Sequence, residues 1–303
     1  MKKPLYWTLI TIFSAVFLVC AVLVGKYGLD AYRNRQMQDD LNDIRNQATS
    51  TTTPTTGSTN STVSSGTTGP THSFDLTDPT GSTLTQPPTM PTTTVPQILP
   101  ELQEIYEMNN HLVGWITIEG TANKGQGFSG ISYPVLQTPN EPDWHNYYLY
   151  RDFYGRDSKH GSIYVRELCD VFEPSDNIVL YGHNMADGTM FGQVVNYRFE
   201  NYYLEHKYIQ FDTLYERHTY EIIAVFLTSG SSGVGYTYHS VNNFRTEADF
   251  NRFISDIKGG SPLVYTYYSI PTTAQYGDKL ITLSTCWNQI DNGRLVVVAK
   301  RIN

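Results

Sequence analysis

The chain has 303 residues and a formal net charge of −8. That length suits one good-sized domain with appendages, or two small domains, and an acidic balance with no large basic block gives nucleic-acid binding no electrostatic support. Its three cysteines, Cys20, Cys169 and Cys286, are too few for a disulfide framework and show no CxxC or Cys/His zinc spacing.

Residues 1–3 carry Lys2 and Lys3, and residues 4–25 are uncharged and mostly apolar. At ~1.5 Å per helical residue that run crosses a ~30 Å hydrocarbon core. It is too long for a signal-peptide core and lacks an obvious small-x-small cleavage site. The valine ahead of Cys20 argues against lipoprotein processing. An uncleaved transmembrane anchor is the expectation. Lys26, Arg33 and Arg35 follow the run, so the flanking cations do not set its orientation.

Residues 26–47 read as a polar stalk that extends the helix. Residues 48–99 are rich in Thr, Ser, Pro and Gly, and no Lys or Arg occurs between Arg45 and Lys124. Such a segment buries too little apolar surface to fold alone. As a coil of about fifty residues it reaches roughly 40 Å, which suits a tether across a cell wall.

Residues 100–303 look folded. Leu102, Ile105 and Tyr106 lie at helical spacing near the start. Strand-like runs follow at 115–118, 161–165, 177–181, 208–211, 219–227, 279–284 and 294–300, punctuated by Gly, Asn, Asp and Pro. Many short strands with few helices indicate a sandwich or a closed barrel. One late helix is expected, with Thr246 and Asp249 as a capping box, Phe250, Phe253, Ile254 and Ile257 on one face, and Gly259–Gly260 as the stop.

Chemistry concentrates in "ITLSTCWNQIDNGRLVVVAKR", residues 281–301. Alternation puts Thr282, Ser284 and Cys286 on one strand face. "IDNG" supplies turn residues, so an antiparallel hairpin sets Cys286 opposite Arg294. A cation there favours thiolate over thiol and holds a developing oxyanion. A buried inert cysteine beside a strand-capping arginine is the alternative. Among the histidines, His183 stands out because it follows a buried-looking strand and a glycine in "NIVLYGHNMADGTMFG". His72 lies in the linker. His111, His145, His160, His206, His218 and His239 sit in polar contexts and read as surface residues.

Taken together, "TLSTC", Arg294 and "YGHNMADGTMFG" resemble the sortases, membrane-anchored cysteine transpeptidases of Gram-positive bacteria, and class B most closely. "VGWITIEG", "ISYPVLQ", "YYLYRDFYGRDSKHGSIYV" and the late helix are similar to the same class, over about 102–302. The resemblance implies a mainly-β fold: a closed eight-stranded barrel with an N-terminal helix and a long helix between the sixth and seventh strands. It implies a single-pass protein with its N-terminus inside and the catalytic domain outside, at the cell wall. Cys286 then matches the nucleophile, His183 the general acid/base and Arg294 the oxyanion- or substrate-stabilising cation. Leu149, Tyr181, Ser284 and Thr285 match groove positions for the sorting peptide. No metal or other cofactor is implied. Partners would be surface proteins bearing a sorting signal, with a lipid-linked peptidoglycan precursor or a pilin amine as acceptor.

Two departures from the class stand out: a Gly-rich insertion at 121–130, and Trp287 where some members carry an acidic residue. A cell-wall cysteine hydrolase and a non-catalytic wall-binding domain remain as other readings.

Overall fold

The computed structural model describes residues 3–51, 96–120 and 130–303. Nearly all of the linker and of the Gly-rich insertion therefore lie outside the described residues.

Helix α1 (Lys3–Thr51) is continuous. Its first half is long and apolar enough to cross a membrane, and none of that apolar window is buried against the rest of the chain. Helix α2 (Pro100–Met108) opens on a proline, whose fixed φ suits the first helical position. Then come β1 (Leu112–Ile118), β2 (Ile131–Leu136), β3 (Ile163–Val165) and β4 (Asn177–Tyr181). Helix α3 (Glu200–Glu205), β5 (Tyr208–Thr213) and β6 (Arg217–Ser229) follow. Helix α4 (Glu247–Ser255), a two-residue β7 (Tyr265–Thr266), β8 (Leu280–Trp287) and β9 (Gly293–Arg301) complete the domain.

The strands run in the order β5-β1-β2-β3-β4-β8-β9-β6, and β6 pairs back onto β5. This closes an eight-stranded barrel, and closure leaves no free edge for another chain to add to. Strand β7 pairs with β6 and stands outside the ring. The pairs β2–β3 and β4–β8 are parallel and the others antiparallel. Strand β9 is central to the core: Leu295 to Ala299 are all fully buried, as a near-continuous apolar run requires. Helix α4 occupies the β6–β7 connection. Thr246 caps it by accepting from the Asp249 amide at 3.1 Å, and Phe250, Phe253, Ile254 and Ile257 pack into the main core.

The polar stretch 26–47 is not a free stalk. Met37 and Leu41 are buried in a second core cluster with Leu102, Ile105, Leu112 and Trp115. Burying each such side chain contributes about 1.5–3 kcal/mol. Polar contacts fix the register: the Ser132 hydroxyl donates to Asn42 Oδ1 at 2.6 Å and accepts from Trp115 Nε1 at 3.0 Å. Arg45 pairs with Asp212 at 2.9 Å and lies over the Trp115 ring. The Thr-rich segment thus joins two helices, α1 and α2, that share one core.

Candidate active site

Strand β8 delivers the thiol. Along its polar face Thr282 donates to Asn177 Oδ1 at 2.7 Å, and Ser284 shares a 2.7 Å hydrogen bond with the Tyr238 hydroxyl. Cys286, next on that face, is half-buried and free. The antiparallel register with β9 sets Cys286 directly opposite Arg294 and Trp287 opposite Gly293. Asn292 takes the left-handed conformation in the intervening turn, at φ 47°, a role asparagine fills more readily than most residues.

The Arg294 guanidinium is held by its own turn. Nη1 donates to the carbonyls of Asn292 at 3.1 Å and Gly293 at 2.9 Å. Gly230 packs against it, and a Cβ there would lie 3.1 Å from the guanidinium carbon. Two donors are thus committed to positioning, which leaves the rest of the five-donor fork for a ligand.

Strand β4 runs parallel to β8, with Tyr181 beside Ser284. The chain leaves β4 through Gly182, where a Cβ would come within 2.5 Å of Ile163 and 2.7 Å of Phe191. Thr285 donates to the Gly182 carbonyl at 2.8 Å, and Asn184 Nδ2 donates to the Cys286 carbonyl at 3.0 Å. The strand end bearing the cysteine is therefore laced to the loop bearing His183. Nε2 of His183 donates to the Leu149 carbonyl at 2.7 Å. A carbonyl only accepts, so the proton sits on Nε2 and Nδ1 is the nitrogen left for proton exchange. Burial pushes the His183 pKa below its ordinary value; the Leu149 bond opposes this, and nearby His160 adds to it.

One cleft of about 500 Å³ is lined by Cys286, His183 and Arg294, and by Leu149, Tyr181, Ser284 and Thr285. All seven residues singled out in the sequence meet there. Burial raises the Tyr181 and Tyr238 phenols above their ordinary range, so both stay neutral hydrogen-bonding groups. A larger groove of about 770 Å³ runs between α1 and β2, but neither cysteine nor histidine lines it.

Tyr238, Arg166 and Glu167 also line the cleft and carried no sequence signal. Tyr238 comes from the long β6–β7 connection. Arg166 is held by the His239 carbonyl at 2.6 Å and Asn242 Oδ1 at 3.0 Å. The groove-shaping part of that connection is this loop; helix α4 contributes no lining residue. Trp287 points away from the cleft into the core, with the Arg198 guanidinium 5.6 Å from its ring centre. It packs there and leaves the chemistry of the cleft to its neighbours. Cys169 is buried and free, and burial raises its thiol pKa, so it is an inert core group. Two histidines expected at the surface are buried, His160 fully and His206 almost so. For His160 the polar sequence context concealed partners that only the fold supplies.

A closed barrel that gathers a thiol, an imidazole and a guanidinium at one rim has the architecture of a cysteine acyl-transfer enzyme. Residues 130–302 match the family model described as the Sortase domain. Sortase B of Staphylococcus aureus is 28% identical over 207 residues, covering 68% of this chain and 76% of that protein. The crystal structure of sortase B from Bacillus anthracis in complex with AAEK1 superposes with a TM-score of 0.60. It is 25% identical, with 91% of this chain and 99% of that one covered. A Staphylococcus aureus sortase B–substrate complex superposes at 0.56, with 27% identity and coverage of 68% and 87%. The chain belongs to the sortase family, within class B, and is a cysteine transpeptidase of the sortase type.

Proposed function

We propose that the enzyme cleaves a C-terminal sorting signal after a Thr residue and transfers the acyl part to a cell-wall or pilin amine through a thioester on Cys286. The observation that carries this reading is the direct cross-strand pairing of Cys286 with Arg294 in the cleft that also holds His183.

The steps follow from the groups present. The Cys286 thiolate attacks the Thr carbonyl carbon and forms a C–S bond. Charge develops on the carbonyl oxygen, where the uncommitted Arg294 donors stabilise it. His183, as imidazolium, gives its proton to the departing amine nitrogen as the C–N bond breaks, and the acyl thioester remains. An incoming amine then attacks the thioester and returns a proton to His183. The new amide forms and Cys286 leaves as thiolate, so no net oxidation or hydrolysis occurs. Leu149, Tyr181, Ser284 and Thr285 form the wall for the peptide. The Ser284–Tyr238 hydrogen bond makes part of that wall rigid.

The apolar half of α1 spans the membrane once, with residues 1–3 inside and the catalytic domain outside at the wall. The one structure among these relatives described as a substrate complex belongs to the class B enzyme of Staphylococcus aureus, which supports a surface protein bearing a sorting signal as the substrate here. The acceptor is a lipid-linked peptidoglycan precursor or a pilin amine. Product mass spectrometry with sorting peptides and each amine class tests the reading. A joined product that needs Cys286 supports it, and hydrolysis alone at every amine concentration refutes it.

A further inference from the structure

Among the described residues, His160 is the one histidine with no solvent exposure. It lies just ahead of β3, outside the cleft. Its Nδ1 is 3.1 Å from Asp30 Oδ2 on α1, and its Nε2 is 3.6 Å from Asp187 Oδ2. Asp187 belongs to the loop that begins at His183, four residues earlier. Both carboxylates are themselves fixed. Asp30 also accepts from the Lys159 amide at 3.1 Å. Asp187 accepts from the Thr189 amide and hydroxyl at 3.1 and 2.7 Å and lies 3.4 Å from Arg35 of α1. Tyr27 of α1 stacks 6.5 Å from the His160 ring, and the Lys159 ammonium lies 5.8 Å from the Tyr27 ring centre.

Two features give this placement a consequence for His183. First, His160 Nε2 is buried without a full hydrogen bond. A buried polar atom left in that state is costly unless it faces a charge, and Asp187 is the charge it faces. Second, the next residue, Gly161, has φ +58°, and a Cβ there would overlap the Leu149 carbonyl oxygen. That carbonyl is the acceptor for His183 Nε2. The His160–Gly161 peptide therefore abuts one support of the His183 imidazole, while the His160 ring faces the loop that carries it.

We propose that His160 is a positioning residue that couples the docked helix α1, through Asp30, to the Leu149 carbonyl and the Asp187 loop that together hold His183. The membrane-proximal helix is then part of the apparatus that orients the proton-transfer group. The turnover consequence rests on the transpeptidase reading; the effect on the His183 ring does not.

The test uses the full chain in nanodiscs, with Asp30→Asn, His160→Gln, the double variant, and Arg45→Gln as the control. Arg45 docks the same helix about 22 Å further along, at ~1.5 Å per residue. Two quantities are read: the NMR titration of the His183 ring, assigned by its loss in His183→Gln, and kcat against KM for a sorting peptide. The His183 midpoint is expected to fall in both single variants, because a slackened Leu149 carbonyl weakens the bond that holds the midpoint up. Both single variants are expected to lose at least about 10-fold in kcat, as small misplacements of a reacting group do, with KM unchanged. The double variant is expected to lose no more than the worse single, since the two residues act as one unit. Arg45→Gln is expected to lower the unfolding temperature and leave kcat intact. Asp30→Asn is isosteric and exposes the coupling even if His160→Gln folds poorly. An unmoved midpoint with unmoved kcat, multiplicative losses, or an equal kcat loss in Arg45→Gln overturns the proposal. If the parent enzyme shows no turnover, the functional reading fails and the titration alone decides the coupling.

Discussion

Cutting the chain inside the Thr-rich segment distinguishes a docked helix from a tether. A site-specific protease sequence is placed within residues 52–95 of the membrane-embedded enzyme, and the membranes are sedimented after cleavage. Helix α1 contributes Met37 and Leu41 to a shared core, plus the Arg45–Asp212 pair and the Asn42–Ser132–Trp115 hydrogen bonds. The cut barrel is therefore expected to stay with the membrane fraction. Leu41 is fully buried, so Leu41→Ala removes its transfer energy and leaves a cavity, at a cost of about 2–5 kcal/mol. At ~1.4 kcal/mol per decade, the lower figure already weakens docking roughly 30-fold. The doubly altered chain, cut and carrying Leu41→Ala, is expected to release its barrel into the supernatant. Release of the parent barrel as readily as the variant's would refute the docking argument.

Other outcomes follow from the cleft. Gly161→Ala forces a left-handed conformation on a β-carbon that overlaps the Leu149 carbonyl; peptide turnover should fall further than the loss of folded protein explains, checked by kcat beside thermal unfolding. Tyr238→Phe leaves the buried Ser284 hydroxyl without its partner, at about 1–3 kcal/mol of stability; denaturant unfolding reads the loss, and KM for the sorting peptide should rise. His183 has its pKa depressed by burial, so the unfolded chain binds a proton that the folded chain resists. Its contribution to stability is full above the unfolded value of ~6.5 and is lost as pH falls through the lower folded value. Unfolding temperatures measured from pH 8 down to 5 should therefore drop less steeply in His183→Gln.

The legible parts of this fold are those fixed by local rules. Alternation along 281–286, a turn sequence and an apolar run were enough to place Cys286 opposite Arg294, and the helix over Thr246–Gly260 followed from its cap, spacing and stop. Closure of the barrel was not legible in the same way. It depends on the parallel pairs β2–β3 and β4–β8 and on β6 pairing with both β5 and β9, and these are set by crossovers rather than by pattern. The docking of α1 left a faint trace: Met37, Leu41 and Ile44 share one helical face in an otherwise polar stretch. A surface that narrow becomes meaningful only once α2 and Trp115 stand against it. His160 shows the same limit. Nothing in "DSKHGS" marks it as buried, because Asp30 and Asp187, about 130 residues before it and 27 after, supply the charges it faces. Tyr238 was missed because its role depends on a hydroxyl contact with Ser284, across 46 residues of chain.

The measurement that bears most directly on the central claim is intact-protein mass spectrometry of the full chain during turnover of a Thr-containing sorting peptide with a competing amine. The enzyme should gain the mass of the N-terminal peptide fragment on Cys286, lose it as amine is added, and release the joined amide; Cys286→Ala should show none of these. Cleavage of the peptide with no adduct on Cys286, or an undiminished joined product from Cys286→Ala, would contradict the account.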